Sequence, residues 1–189
     1  MNIYSKACEQ GPWAANHSGP RRASSLRLIV IHSAEGTSAR GVASWFARPS
    51  TQASTHLAVD NVRCVRMLRD LQIPWGASGA NSDGLHVELC GYAKWSKEEW
   101  LAKDRLLRRA AYKTAMWCWQ YDLPARWLTV AQIKDGESQG FCTHVDVNKA
   151  FKRGHHWDPG PRFPKAAFMA HVRAYLKEIT AERAKGARG

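Results

Sequence analysis

Three histidines and two aspartates crowd one short part of the chain. Thr143-His144-Val145-Asp146-Val147 is followed by His155-His156-Trp157-Asp158-Pro159-Gly160-Pro161. Imidazole nitrogens and carboxylate oxygens are the usual protein ligands of a catalytic zinc ion. This segment supplies only part of such a site. Its complement is His32, which closes the apolar run Leu28-Ile29-Val30-Ile31. The two ends of the chain are expected to meet at one metal, with scaffold or substrate groove between them. A lone histidine after an apolar run is more often a satisfied core residue, so His32 gains weight only through its partners. Glu88 is the next candidate. In Gly84-Leu85-His86-Val87-Glu88-Leu89-Cys90-Gly91, strand alternation puts His86, Glu88 and Cys90 on one face and the leucines and Val87 on the other. A carboxylate inside an apolar strand is costly unless it is paired or working. Glu88 is therefore a general base or ligand-orienting group, or else one half of a buried salt bridge to an arginine.

Leu26 to His32 is a β-branched run that reads as a strand buried on both faces. The ends of such strands are where α/β sheets place their chemistry. Ser38 to Ala47 reads as a helix with Val42, Trp45 and Phe46 on one face, stopped by Pro49. Ser54–Asp60 and Val62–Leu68 read as two strands about an Asp60-Asn61 turn, which leaves His56 open between site and core. Leu71 to Ser82 is loop-like. Ser96 with Glu99 is a capping box opening the longest helix, to about Tyr121. Trp127 to Ile133 is a short strand or turn, and Val147 to Phe151 a helical turn. Pro164-Lys165 starts a last amphipathic helix carrying Phe168, Met169, Val172, Tyr175, Leu176 and Ile179. Residues 1–25 read as an irregular arm, 26–180 as the domain, and 181–189 as a frayed basic tail. The expected fold is α/β, a central mixed β-sheet flanked by helices.

At 189 residues the chain fits one domain. Lys and Arg total 28 against 16 Asp and Glu, a net charge of +12 that favours an anionic partner without choosing one. Nine tryptophans exceed what packing needs, so several indoles belong in a groove or at a surface. Five cysteines, odd in number and without a C-x-x-C pair, argue against a disulfide framework and for free thiols in a reducing compartment. The N-terminus lacks the apolar core of a signal peptide, and no run approaches the ~18 apolar residues of a membrane span.

Together, Ile29-Val30-Ile31-His32, Leu85-His86-Val87-Glu88-Leu89, Thr143-His144-Val145-Asp146 and Asp158-Pro159-Gly160-Pro161-Arg162-Phe163-Pro164 resemble the zinc-dependent type-2 N-acetylmuramoyl-L-alanine amidases. That fold is shared with peptidoglycan recognition proteins and phage lysozyme-like amidases. The wording around His144 and His156-Trp157-Asp158-Pro159-Gly160 is most similar to amidase domains of actinobacteriophage endolysins. The resemblance spans about residues 26–165 and makes 26–180 a catalytic domain. It implies zinc held by His32, His144 and Asp158, with Glu88 acting on the nucleophilic water. It places Trp75 at a groove aromatic. His156 stands where relatives often carry a lysine that stabilises the oxyanion, which would make activity more pH-dependent. Thr55 stands where many carry a tyrosine beside the position of His56, leaving Thr55 and His56 as substrate-binding candidates. His155 remains an alternative ligand to Asp158 or His156.

The implied reaction is zinc-dependent hydrolysis of the amide between N-acetylmuramic acid and L-alanine in peptidoglycan. Its setting would be host lysis by a phage endolysin, made in the host cytoplasm without a signal peptide and reaching the wall after holin-mediated release. The implied partner is peptidoglycan, with no specific nucleic acid and no membrane insertion; a monomer is the working expectation. Rival readings are a non-catalytic peptidoglycan-binding module of the same fold, a cytoplasmic muropeptide-recycling amidase, and a basic zinc nuclease.

Overall fold

In the computed structural model, which describes Tyr4 and residues 6–186, eight strands and six α-helices follow one another along the chain. The strands are β1 (Glu9–Gln10), β2 (His17–Pro20), β3 (Leu28–Ser33), β4 (Leu57–Val59), β5 (Cys64–Arg66), β6 (Gln72–Pro74), β7 (Gly84–Leu89) and β8 (Gly140–Thr143). The helices are α1 (Ala39–Phe46), α2 (Lys97–Leu101), α3 (Asp104–Tyr121), α4 (Val130–Lys134), α5 (His144–Phe151) and α6 (Lys165–Gly186). The main sheet runs β1-β5-β4-β7-β3-β8 and is mixed, with only the β4–β5 pair antiparallel. The expected mixed α/β architecture is thus the one observed.

β3 and β7 are buried along their whole length, as a parallel sheet covered on both faces requires. Ile29, Ile31, Leu85, Val87, Leu89 and Phe141 pack with α3 and α6 residues such as Leu107, Ala111, Phe168 and Val172. On the opposite face Leu28, Val30 and Cys142 pack with Val147 and Ala150 of α5 and Ile133 of α4. By alternation His32, His86 and Glu88 fall on this second face. Arg27 ties the strand entrances together. Its Nε is 2.5 Å from Asp83 Oδ2, and its guanidinium donates to the Ser138 and Ile133 carbonyls at 3.0 and 2.8 Å.

Several elements differ from the sequence expectations. The stretch expected to be one helix from Ser96 breaks at Ala102-Lys103. Ser96 does cap α2 in a capping box, but α3 starts afresh at Asp104, where the Asn61 side chain accepts the Leu106 N–H at 3.1 Å. That cap comes from the Asp60-Asn61 turn, 45 residues away. The longest helix is α6, which continues through Ala181 to Gly186, with Arg183 stacked over the Trp119 ring at 4.9 Å. Thr129 and Gln132 form a capping box that makes α4 where a strand or turn was expected. Within the expected arm, β1 extends the main sheet and β2 pairs with β6, itself in the expected loop. On α1 the buried residues are Ala39 and Ala43, whose small side chains seat the helix; Trp45 lies outside.

The free-thiol expectation is also corrected. Pairing of β1 with β5 brings Cys8 beside Cys64, and the two form a disulfide with Cα atoms 4.7 Å apart. Their sequence separation of 56 and the odd cysteine count concealed the pair. Cys90, Cys118 and Cys142 are free and buried.

His56 belongs to the frame. It is fully buried, its Nδ1 accepts the His86 backbone N–H at 3.0 Å, and its Nε2 lies 3.1 Å from the Gln72 carbonyl oxygen. Burial, with Arg21 alongside, pushes its pKa from 6.5 down to about 3. Burial shifts His32 and His86 downward too and shifts Glu88 upward.

Two expectations follow. Phe168 is fully buried between α6 and the sheet, so Phe168→Ala should cost about 3–5 kcal/mol in urea unfolding; a loss below about 1 kcal/mol would contradict this packing. For chelator-treated protein, the unfolded histidines take up protons below pH 6.5 that their folded counterparts refuse. The histidines' contribution to stability is therefore full above that pH and falls as acid is added. His56 acts over the span from 6.5 down to about 3, His32 and His86 act in the same direction, and Glu88 acts in the opposite one. Thermal midpoints that stay constant from neutrality to about pH 5 would refute this.

Candidate active site

Parallel pairing delivers three side chains to one end of the sheet. His32 lies near the C-terminal end of β3, in register with Glu88 on β7. β8 ends at Thr143, so His144 is the first residue of α5. The capping box holds that junction: Thr143 Oγ1 accepts the Asp146 N–H at 3.2 Å, and Asp146 Oδ2 accepts the Thr143 N–H at 3.1 Å. Asp146 also pairs with Lys165 at 3.2 Å. The second acid of the histidine-rich stretch is thus engaged structurally.

Asp158 returns over the start of α5, where its carbonyl oxygen accepts the Val145 N–H at 3.2 Å. A cis Asp158–Pro159 bond leads to Gly160 at φ 89°. A Cβ there would overlap the Ala93 carbonyl oxygen, so only glycine permits this contact with the segment after β7. The Asp158 carboxylate then faces two imidazoles: Oδ2 is 3.2 Å from His32 Nδ1 and Oδ1 is 3.1 Å from His144 Nδ1. One ligand-type atom from each of these three residues lies within 4.8 Å of the others. Burial alone would raise the Asp158 carboxyl, but contact with His144 and His32 holds it well below the ordinary carboxylate range. Two nitrogens and one oxygen, converging from three elements at the wall of an open groove, suit a divalent cation with a remaining position for water or substrate.

The groove has a volume of about 910 Å³ and is lined by His32, Glu88, His144, His156 and Asp158 together. Glu88 is nearly buried, and its Oε2 has no hydrogen-bond partner among the described residues. Burial, then the Asp158 and Glu35 carboxylates, raise its pKa well above the usual value. The arginine salt bridge considered for Glu88 is not among the ion pairs of the described residues. His156 stacks on His144 with ring centroids 4.5 Å apart, and its side chain is 70% exposed. Asn148 donates to the His156 carbonyl at 2.7 Å. Thr55 lines the groove with a buried Oγ1 that lacks a partner among the described residues. Trp75 stands half-exposed in the wall, its indole N–H donating to Ser18 at 2.7 Å. His56 does not line the groove, and His155 is exposed outside it.

Other groove residues escaped the sequence reading. Trp45 and Trp157 are both about half exposed along it, and Arg153 adds a cation. The Ala39/Ala43 spacing on α1 was the signal that Trp45 points away from the sheet. Glu35, at φ 49°, accepts from Ser33 Oγ at 2.9 Å and the Ala93 N–H at 2.8 Å, bracing the segment that Gly160 touches.

Solved structures share this fold. Staphylococcus aureus hydrolase AmiA, determined in complex with its ligand, superposes with a TM-score of 0.70 at 17% identity, covering 95% of this chain and 88% of that one. N-acetylmuramoyl-L-alanine amidase LysC from Clostridium intestinale gives 0.60 at 12% identity, covering 89% and 99%. An AmpD derivative gives 0.61 at 17% identity, covering 91% and 98%. At such identities the likeness is one of fold. Comparison with curated proteins yields no significant match. The N-acetylmuramoyl-L-alanine amidase family model matches residues 22–161, a span that takes in every residue lining the groove, and the chain belongs to that family.

Proposed function

We propose that this protein hydrolyses the amide bond joining the lactyl group of N-acetylmuramic acid to L-alanine in peptidoglycan, using zinc held by His32, His144 and Asp158. The observation that carries the reading is the meeting of those three donors in an open groove with a buried Glu88 carboxylate oxygen that has no partner among the described residues. When bound, zinc would polarise the scissile carbonyl and make water acidic enough to attack near neutral pH.

The protein's own groups divide the remaining work. Glu88, in its ionised form, takes a proton from the attacking water and passes it to the alanine nitrogen as the carbon–nitrogen bond breaks. Its upward-shifted pKa suits a group that must both accept and release a proton. His156, stacked beside His144 and open to the groove, donates an N–H to the oxyanion. Thr55 Oγ1 offers a hydrogen bond to substrate, and Trp75, with Trp45 and Trp157, presents ring faces to sugar or peptide. The +12 charge suits a polymer rich in carboxylates.

Within this reading the protein is a phage lysin acting in host lysis. The resemblance to actinobacteriophage endolysins supports that setting, as does the fold of a mutant endolysin from Bacillus subtilis at 14% identity. The Cys8–Cys64 disulfide suits work outside a reducing cytoplasm. No helix among the described residues is long and apolar enough to cross a membrane.

Mass spectrometry of digested peptidoglycan should reveal stem peptides with a free L-alanine amine, absent with chelator and restored by zinc. Wall binding without new termini would instead indicate a recognition module. Lysis of intact walls, against turnover of soluble fragments alone, separates a lysin from a recycling amidase. Glu88→Gln should keep zinc and lose about 10²–10⁴ in rate; near-normal turnover would remove Glu88 as the base. His144→Ala should lose the metal itself, whereas unchanged zinc content in that variant would move the ligand set toward His155 or His156.

A further inference from the structure

We infer that His86 is a positioning residue for the metal centre: it accepts the Nε2 proton of His32 and so turns the bare Nδ1 of that ring toward Asp158 and the cation. This rests on the zinc reading above. His86 lies behind His32, fully buried and outside the groove lining, so it touches no substrate.

Hydrogen-bond directions make the case. His86 Nε2 lies 3.1 Å from the Ala80 carbonyl oxygen, which can only accept. The Nε2 atom of His86 therefore carries a proton, and in this buried neutral ring Nδ1 is the acceptor. His32 Nε2 lies 3.0 Å from that Nδ1 and must be the donor. A neutral His32 has then used its single proton, and its Nδ1 lone pair points at Asp158 Oδ2, 3.2 Å away. A lone pair facing a carboxylate is repulsive unless a cation or a further proton lies between them. The outward chain of hydrogen bonds thus prepares His32 as a metal ligand through Nδ1.

The backbone is shaped around this ring. Added Cβ atoms at Gly76 and at Gly84 would each collide with the His86 imidazole. The His86 backbone N–H is itself held by His56 Nδ1 at 3.0 Å. The His86 and His32 rings stack with centroids 5.2 Å apart and planes 24° apart. Both ring nitrogens and the main chain of His86 are thus engaged, which leaves the acceptor aimed at His32 in one orientation.

The test compares His86→Leu, which fills similar space without an acceptor, with His86→Asn, whose Oδ1 stands as many bonds from Cα as the imidazole Nδ1. Zinc affinity is read by competition with a chromogenic chelator. The leucine variant should bind zinc about 10–100-fold more weakly than wild type, and the asparagine variant within a few-fold of it. Long-range ¹H–¹⁵N spectra of zinc-free wild type should find the His32 proton on Nε2. Wild-type affinity in a folded leucine variant, or a neutral His32 protonated on Nδ1, would overturn the assignment. If the leucine variant does not fold, the asparagine affinity and the wild-type spectrum decide. A purely structural histidine would lower thermal stability in both variants and leave zinc affinity alone. Failure of wild type to bind zinc would sink the metal reading itself and is told apart by that result.

Discussion

The structure depends on the parallel register of β3 between β7 and β8. Pairing Leu28 with both Gly84 and Gly140 sets His32 opposite Glu88 and brings β8 to its end just before His144. Since side chains alternate across a strand, a slip by one residue would send His32 or Glu88 into the α3/α6 core. Arg27 guards that register at the far end, where one guanidinium joins Asp83 before β7 to Ser138 before β8.

The second constraint is the cost of burying so many polar groups. His32, His144, Glu88 and Asp158 in the groove wall, and His56 and His86 behind it, all lie largely out of water. Buried polar groups are tolerated when each finds a partner, and most do here, in a line from the Gln72 and Ala80 carbonyls through the three inner histidines. Glu88 Oε2 and Thr55 Oγ1 stand apart from that network and face the groove. Groups that break a rule of satisfaction at a site lined by metal-type donors are where chemistry is expected.

Much of this was legible beforehand because it is local. The apolar run before His32 and the alternation around Glu88 follow from the two-residue period of strands. The Asp60-Asn61 turn and the Ser96 cap follow from side chains that bond their own backbone neighbours. The same local rule, applied to Thr143 and Asp146, would have removed Asp146 from the chemistry. What was not legible came from distant partners: Asn61 capping α3, Cys8 meeting Cys64, and Gly160 lying against Ala93. In each pair the two residues lie tens of positions apart, and no periodicity in either stretch refers to the other.

By itself the sequence determined which residue types stand at strand ends, and that His32, Glu88, His144 and Asp158 are chemically able to form one centre. Tertiary structure alone decided that His32, His144 and Asp158 face one another, and that His56 braces the interior while His86 backs His32. It also decided that Trp45 opens to the groove. The physical reason is that residue type and spacing set a side chain's chemistry and its face on one element. Distances between elements, and the direction of each hydrogen bond across them, arise only when the sheet pairs and the helices pack.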